Sequence, residues 1–162
     1  MTKQILVTLF IAIAIALNGC GFKPIHQITE NSVNVPGYSI EIINTPSREI
    51  VDEINRSFIQ KESDSFKVFL EIDESQIPLI INTNGTVSKY RIEIAIKYKL
   101  VKIEDNKVLL EDTARGFTQY DVTTSEIENE ETRRQMIRTS AQSALQLMFT
   151  KIQSNLSKNN DH

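Results

Sequence analysis

The sequence contains a single cysteine and two histidines, and positive charge is not in excess. With one cysteine, no disulfide can form within the chain, so the fold must be stabilised by packing. The formal net charge of −3 excludes the broad basic surface that nucleic-acid-binding proteins use. We therefore expect a packed domain without a nucleic-acid partner.

Residues suited to catalysis are also scarce. His26 lies in an irregular stretch and His162 is the last residue, so neither is expected to be held in a cleft. The sequence has no zinc-ligand spacing, glycine-rich phosphate loop or nucleophile elbow. A hydrolase would need a buried carboxylate pair, but the acidic pairs fall at strand ends and turns: Asp73-Glu74, Glu104-Asp105 and Glu111-Asp112. The sequence predicts a protein that is not an enzyme and holds no metal or cofactor.

The strongest feature that is present is an apolar N-terminal segment. Lys3 precedes a run of thirteen residues, Ile5 to Leu17, in which only Thr8 is polar. At about 1.5 Å per residue the run spans about 20 Å, less than the roughly 30 Å hydrocarbon core of a bilayer. A signal peptide is therefore favoured over a retained transmembrane anchor. An ordinary secretory signal peptide, without lipid attachment, would leave the only cysteine of the chain as a free thiol in an oxidising compartment, which is unusual.

The apolar run leads directly to Cys20. Leu17 stands three positions before it and Gly19 one position before it, a pattern that resembles the lipobox of bacterial lipoproteins. We expect cleavage after residue 19 and lipid attachment, diacylglycerol and palmitate, at Cys20. Gly21 occupies the position at which aspartate retains many lipoproteins in the inner membrane. Acyl chains in the inner leaflet of the outer membrane are thus expected to anchor the chain on the periplasmic side.

Changes in composition divide the chain into four parts. Beyond Cys20, prolines and asparagines without helical or strand periodicity indicate a tether. The length that remains is typical of one domain, and the last residues are polar. The expected parts are a signal peptide over 1–19, an acylated N-terminus and tether over 20–36, a single periplasmic domain over 37–156 and a frayed tail over 157–162.

The domain opens with a strand pattern and a helix pattern. Tyr38, Ile40 and Ile42 alternate with polar residues, which predicts a half-buried strand. Thr45 before Pro46 indicates a helix start with Thr45 as the N-cap. Apolar residues at helical spacing then predict an amphipathic helix over 46–60.

Three strand patterns linked by short turns follow. The first runs from Phe66 to Ile81, and Pro78 indicates a bulge or an edge in it. Asn84-Gly85 predicts a type I′ hairpin turn, in which both residues take a positive φ. The next strand is apolar on one side from Tyr90 to Leu100 and polar on the other, where Arg91, Glu93, Lys97 and Lys99 alternate. A turn at 104–106 leads to a returning strand over about 108–120.

A long helix closes the chain. Ser125 and Glu128 fit a capping box, and an apolar stripe with helical spacing runs from Met136 to Leu156. Small residues within the stripe, Ser140, Ala141 and Ala144, favour close packing on a sheet. The expected fold is an α+β two-layer sandwich of order β-α-β-β-β-α, with two helices on one face of a mostly antiparallel four-stranded sheet. The pairing direction of the first strand is left open.

Four features together resemble the LPS-assembly lipoprotein family (LptE). They are the acylation site followed by Gly21-Phe22 and Pro24, the Asn84-Gly85 hairpin before Tyr90-Arg91-Ile92, the segment Ala114-Arg115-Gly116-Phe117, and the closing helix rich in Arg, Gln and Ala. The resemblance implies a periplasmic sandwich that plugs the lumen of the LPS-transport outer-membrane β-barrel (LptD-type). It also implies a role in assembling that barrel and contact with lipopolysaccharide.

Candidate LPS-contacting residues are basic side chains, since phosphates and sugar carboxylates are bound well by arginine and lysine. The resemblance assigns Arg115 to this role, and the polar strand face adds Arg91, Lys97 and Lys99. A solvated sheet face and an ion pair of Arg115 with a nearby carboxylate explain these residues as well. The alternative function is a generic lipid-anchored periplasmic scaffold or binding module of the cell envelope.

Overall fold

The computed structural model describes residues 38–57 and 65–160. The expected signal peptide, Cys20, the tether and both histidines lie outside the described residues. In chain order the elements are β1 (Tyr38–Ile42), α1 (Arg48–Ser57), β2 (Phe66–Ile81), β3 (Val87–Lys102), β4 (Lys107–Asp121) and α2 (Glu126–Asn160). The expected order β-α-β-β-β-α and the α+β class are confirmed.

The strands form one sheet in the order β1-β2-β3-β4. Hairpins join β2, β3 and β4, which pair antiparallel. β1 pairs parallel to β2, with Tyr38 opposite Phe66 and Ile42 opposite Leu70. Parallel neighbours need a crossover connection, and the passage through α1 provides it.

One face of the sheet carries the hydrophobic core. The even-numbered residues of β3 from Ile92 to Leu100 are all buried, as their alternation predicts. Ile50 and Ile54 of α1 belong to the same buried cluster, together with the apolar stripe of α2. Both helices therefore cover the same face of the sheet. The buried stripe of α2 comprises Ile137, Ala141, Ala144, Leu145, Met148, Ile152 and Leu156.

The start of α1 differs from the prediction, which placed the N-cap at Thr45. The carbonyl of Ser47 accepts hydrogen bonds from the N–H groups of Ile50 (3.1 Å) and Val51 (3.2 Å), so Ser47 is the N-cap. The helix begins at Arg48, two residues after Pro46, so Thr45 lies outside it. The structure describes the helix as far as Ser57. The predicted end at residue 60 lies outside the described residues.

The β2–β3 hairpin lies where it was predicted, but its turn is not type I′. Gly85 N–H donates to the Asn82 carbonyl (2.9 Å), and Asn82 N–H donates to the Thr86 carbonyl (2.8 Å). Gly85 has φ of 83°, whereas Asn84 has no positive φ. This is a three-residue loop with a left-handed glycine at its end. The Asn84 side chain accepts from Thr86 N–H at 3.1 Å, a bond that stabilises this turn.

The start of α2 confirms Ser125 as the N-cap but only half of the capping box. Ser125 Oγ accepts from Glu128 N–H at 3.4 Å. The Glu128 carboxylate does not reach back to Ser125 and accepts instead from the Thr123 hydroxyl at 3.1 Å. Ser125 N–H in turn donates to Thr123 Oγ1 at 3.3 Å. At its other end the helix extends to Asn160, past residue 156, where the domain was expected to end.

Candidate functional site

The four candidate cations lie together on the face of the sheet opposite the helices, which we call the outer face. Arg91, Lys97 and Lys99 occupy odd positions of β3, whose even positions are buried under the helices. Arg115 pairs with Ala95 in the register of β3 and β4 and so shares this face. The alternation of strand side chains thus brings all four to one surface.

Lys97 is balanced by two carboxylates. Its Nζ lies 3.1 Å from Asp73 Oδ2 and 3.2 Å from Glu71 Oε1, both on β2. Hydrogen bonds to Asp73 and then to Glu71 raise the pKa of Lys97 above its ordinary value. With two acidic neighbours, this ammonium adds no free positive charge to the outer face.

Lys99 and Arg115 are each paired with one carboxylate. Lys99 Nζ lies 3.3 Å from Glu111 Oε2. Arg115 Nη1 donates to Glu93 Oε1 at 2.9 Å, and its side chain is 64% exposed. Arg115 is therefore in the ion pair that the sequence offered as one explanation for it. A bound anion would have to compete with Glu93 for the guanidinium.

Arg91 differs from the other three because no carboxylate pairs with it in the described part of the chain. Its guanidinium lies over the ring of Phe117, with 5.1 Å between its central carbon and the ring centroid. Its Nε is buried and has no hydrogen-bond partner among the described residues. Ile77 stands opposite Arg91 on β2. Arg91, Phe117 and Ile77 form a mixed cationic and apolar surface, the Arg91 patch.

Phe117 is the residue of this surface to which the sequence assigned no role. It lies on β4 opposite Glu93 and is 61% exposed. The available signal was its position in the alternation of β4, since it shares a face with the polar residues Arg115 and Gln119. An aromatic ring at such a position is exposed and available for contact.

In two of the acidic pairs, Asp73-Glu74 and Glu111-Asp112, each carboxylate contacts a cation on another element. Neighbouring strand residues point to opposite faces, so Asp73 contacts Lys97 whereas Glu74 lies 3.7 Å from Arg133 of α2. Asp112 pairs with Lys151, which holds the pKa of Asp112 below its ordinary value. The described residues include no group of three or more histidine, cysteine, aspartate or glutamate side chains arranged to hold a metal.

Two shallow clefts border α2. One of about 380 Å³ lies between β4 and the C-terminal half of the helix, beside Asp112 and Lys151. The other, of about 430 Å³, lies at the N-terminal end of the helix, beside Ile127 and Arg134.

Within the described ranges, neither helix has the combination of length and apolar character needed to cross a bilayer.

Three solved structures of bacterial lipoproteins share this fold. Rare lipoprotein B from Shewanella oneidensis superposes with a TM-score of 0.51 and 15% identity, over 78% of this chain and 99% of the other. Lipoprotein B from Nitrosomonas europaea gives 0.58 and 12%, over 74% and 83%. A minor lipoprotein from Acinetobacter baumannii gives 0.54 and 11%, over 76% and 95%. At these identities the likeness concerns the fold alone.

Comparison with curated proteins gives no match. Residues 36–152 match the family model of LptE, described as lipopolysaccharide-assembly. The matched region includes all four strands, α1 and most of α2. The chain therefore belongs to the LptE lipopolysaccharide-assembly family.

Proposed function

We propose that this protein is an outer-membrane lipoprotein that plugs the lumen of the lipopolysaccharide-transport β-barrel (LptD-type). It assists assembly of that barrel and contacts lipopolysaccharide on its way to the outer leaflet. The family match over residues 36–152 is the observation that carries the proposal. Solved lipoproteins of the same fold support a place in the cell envelope.

The charge pattern of the outer face suits a position inside a hydrated pore. The interior of a membrane barrel is polar and filled with water, whereas its outside is apolar. The outer face presents paired charges, including Lys97 with Glu71, Lys99 with Glu111 and Arg115 with Glu93. Such a surface stays hydrated and nearly neutral, which favours contact with a polar barrel wall.

The Arg91 patch is the part of the outer face best suited to lipopolysaccharide. A guanidinium binds phosphate well when no carboxylate competes for it, and no carboxylate pairs with Arg91 among the described residues. Phe117 and Ile77 add exposed apolar surface beside it, 61% and 40% exposed. Arg115, Lys97 and Lys99 are secondary contacts in this proposal, because an incoming anion must compete with their carboxylate partners.

The anchor is part of the same proposal. Residues 1–19 act as a signal peptide, Cys20 carries the acyl chains, and residues 20–36 tether the domain over 37–156 to the inner leaflet. Acyl chains contribute about 0.8 kcal/mol per buried CH₂, so more than one chain gives stable membrane binding.

Co-purification tests the proposed function. The full-length protein, isolated from detergent-solubilised envelopes through a C-terminal tag, is expected to carry a large outer-membrane barrel in a constant ratio. Cys20→Ala serves as the control, because it should leave an uncleaved precursor that lacks fatty acid and does not reach the barrel. Recovery of the acylated protein without any barrel would contradict the proposal and favour the lipid-anchored scaffold.

A further inference from the structure

The side of β2 that faces β1 is paired over only part of its length. β1 covers β2 from Phe66 to Leu70. The Asn44 carboxamide extends this hydrogen bonding by one more residue of β2. Its Nδ2 donates to the Ile72 carbonyl at 2.7 Å and its Oδ1 accepts from Ile72 N–H at 3.1 Å. Beyond Ile72, no strand of the described chain pairs with this side of β2. Within the described residues, the second half of β2 is therefore an open edge.

The direction of the backbone groups on this edge follows from their alternation. In a strand, the N–H and C=O of every second residue point to the same side. The Leu70 carbonyl accepts from Ile43 N–H, and both backbone groups of Ile72 bind Asn44, so even-numbered residues point away from β3. The N–H groups of Glu74 and Gln76 therefore point to the open side.

Pro78 occupies the next outward position. Its missing N–H removes a donor from the open side and leaves the pairing with β3 intact. A sheet tolerates proline at such an edge position, where the absent N–H would not have bonded to a neighbouring strand. The register between β2 and β3 shifts between Pro78 and Ile80, so the predicted bulge or edge at Pro78 is confirmed. Proline and a bulge limit pairing at this point, but the donors of Glu74 and Gln76 remain available.

The end of the open edge is apolar and uncharged. Ile77, Leu79, Ile80 and Ile81 are 40%, 39%, 49% and 61% exposed. The outer edge strand on the other side of the sheet, β4, differs because charged residues recur along it: Lys107, Glu111, Asp112, Arg115 and Asp121. Charges along an edge discourage pairing with another strand. The β2 edge is thus the better acceptor of the two.

We propose that the open edge of β2, from Glu74 to Ile81, binds an extended segment of the barrel protein as an added strand. Backbone hydrogen bonds to Glu74 and Gln76 would hold the segment, and its side chains would pack on the apolar end of the edge. The segment is apolar and uncharged, because Asp73 and Glu74 already have cationic partners within the chain, Lys97 and Arg133. The identity of the partner rests on the proposed function.

A second copy of the chain fits this edge less well. Two copies paired through their β2 edges would each present Pro78, so the pair would lack two donors. Each copy would also bring its own bulge between Pro78 and Ile80 to the interface. An unrelated extended segment carries neither feature and can pair with the full set of outward groups.

Gln76→Pro tests the added strand, with Gln76→Ala as the matched control. Both variants lose the side chain that donates to Tyr120 Oη at 3.0 Å, but only proline removes the outward N–H. The full-length tagged protein with Gln76→Pro is expected to retain about tenfold less barrel than the Gln76→Ala variant, since a backbone bond is lost and the proline ring keeps the added strand at a distance. Equal retention by the two variants, at equal melting temperatures, overturns the inference.

Ile81→Lys is a second test that does not alter the backbone. Ile81 is 61% exposed, so the folded chain should tolerate lysine, and Ile127→Lys on α2, at a residue that is 86% exposed, is the control. We expect about tenfold less barrel with Ile81→Lys only. Unchanged retention overturns the inference while the proposed function stands. If the wild-type protein retains no barrel, both the inference and the proposed function are overturned. If the protein forms a homodimer that Ile81→Lys dissociates, the occupant of the edge is a second copy of the chain and not a barrel segment.

Discussion

Gly116 of β4 lies against the backbone of Ser140 in α2 so closely that a Cβ atom on Gly116 would be 1.9 Å from the Ser140 carbonyl oxygen. The same atom would be 2.8 Å from the Ala144 nitrogen. Ser140, Ala141 and Ala144 are all fully buried. Glycine on the strand and small residues on the helix therefore let the two backbones meet, and this contact positions α2 on the sheet.

Gly116→Ala should be strongly destabilising. The obstacle to the added methyl group is helix backbone, which cannot move aside like the end of a side chain, so the helix must shift away from β4. We expect the free energy of unfolding to fall by about 3 kcal/mol, measured by urea denaturation.

Gly85→Ala is the matched control for this substitution. A Cβ atom at Gly85 would meet no atom within 4 Å, and its φ of 83° is the only source of strain. The expected loss is about 1 kcal/mol. Equal losses for the two variants would show that α2 does not rest on Gly116.

The sheet face of each β3 residue could be predicted from the sequence because a strand alternates with a period of two, whatever it pairs with. The close packing of α2 was likewise signalled by Ser140, Ala141 and Ala144. The N-cap of α1 was not predicted correctly, because Thr45 and Ser47 are both of residue types that cap helices. The contact of Asn44 with the backbone of Ile72, 28 positions away, was not predicted either, because a single sequence does not show which distant residues meet.

The candidate site could also be predicted only in part, because it too depends on contacts between distant residues. Alternation placed Arg91, Lys97 and Lys99 on one face, but the face of Arg115 and the carboxylate that meets each cation depend on the register between strands. Arg115 stands opposite Ala95 and reaches Glu93 on the neighbouring strand. The Arg91 contact with Phe117 joins residues on different strands in the same way. A single sequence carries no direct signal of that register.

Asn44 is expected to stabilise the junction between β1 and β2 through both groups of its carboxamide. Asn44→Asp keeps the shape of the side chain but removes the donor to the Ile72 carbonyl. Asn44→Ala removes both bonds. We expect Asn44→Ala to lower the free energy of unfolding by about 2 kcal/mol and Asn44→Asp by at least about 1 kcal/mol, measured by urea denaturation. A neutral effect of Asn44→Asp would mean that the Ile72 carbonyl does not need this donor.

Glu130 should make stability depend on acidic pH. Hydrogen bonds from Arg133 and then Arg134 lower the pKa of Glu130 from 4.5 to about 2. A lowered pKa in the folded state means that the stabilising effect is complete above the unfolded value and is lost as the pH falls from 4.5 towards 2. The Glu130→Gln variant should therefore show a shallower decline of melting temperature over this range. A slope that matches the wild type would contradict the pairing.

Arg91 is expected to matter more for lipopolysaccharide binding than Lys97, although both lie on the outer face. Lys97 is already neutralised by Glu71 and Asp73, whereas the guanidinium of Arg91 lies over the Phe117 ring and has no carboxylate partner among the described residues. In the full-length detergent-solubilised protein, Arg91→Ala should weaken binding of lipopolysaccharide about tenfold, the loss of one charge-assisted contact.

Lys97→Ala is the control for Arg91 and should change the dissociation constant by less than about twofold, since the lost charge was internally balanced. Titration of both variants with fluorescent lipopolysaccharide measures the difference. Equal weakening would show that lipopolysaccharide senses the overall charge of the outer face. A larger effect of Lys97→Ala would move the contact towards the centre of the sheet and away from the Arg91 patch.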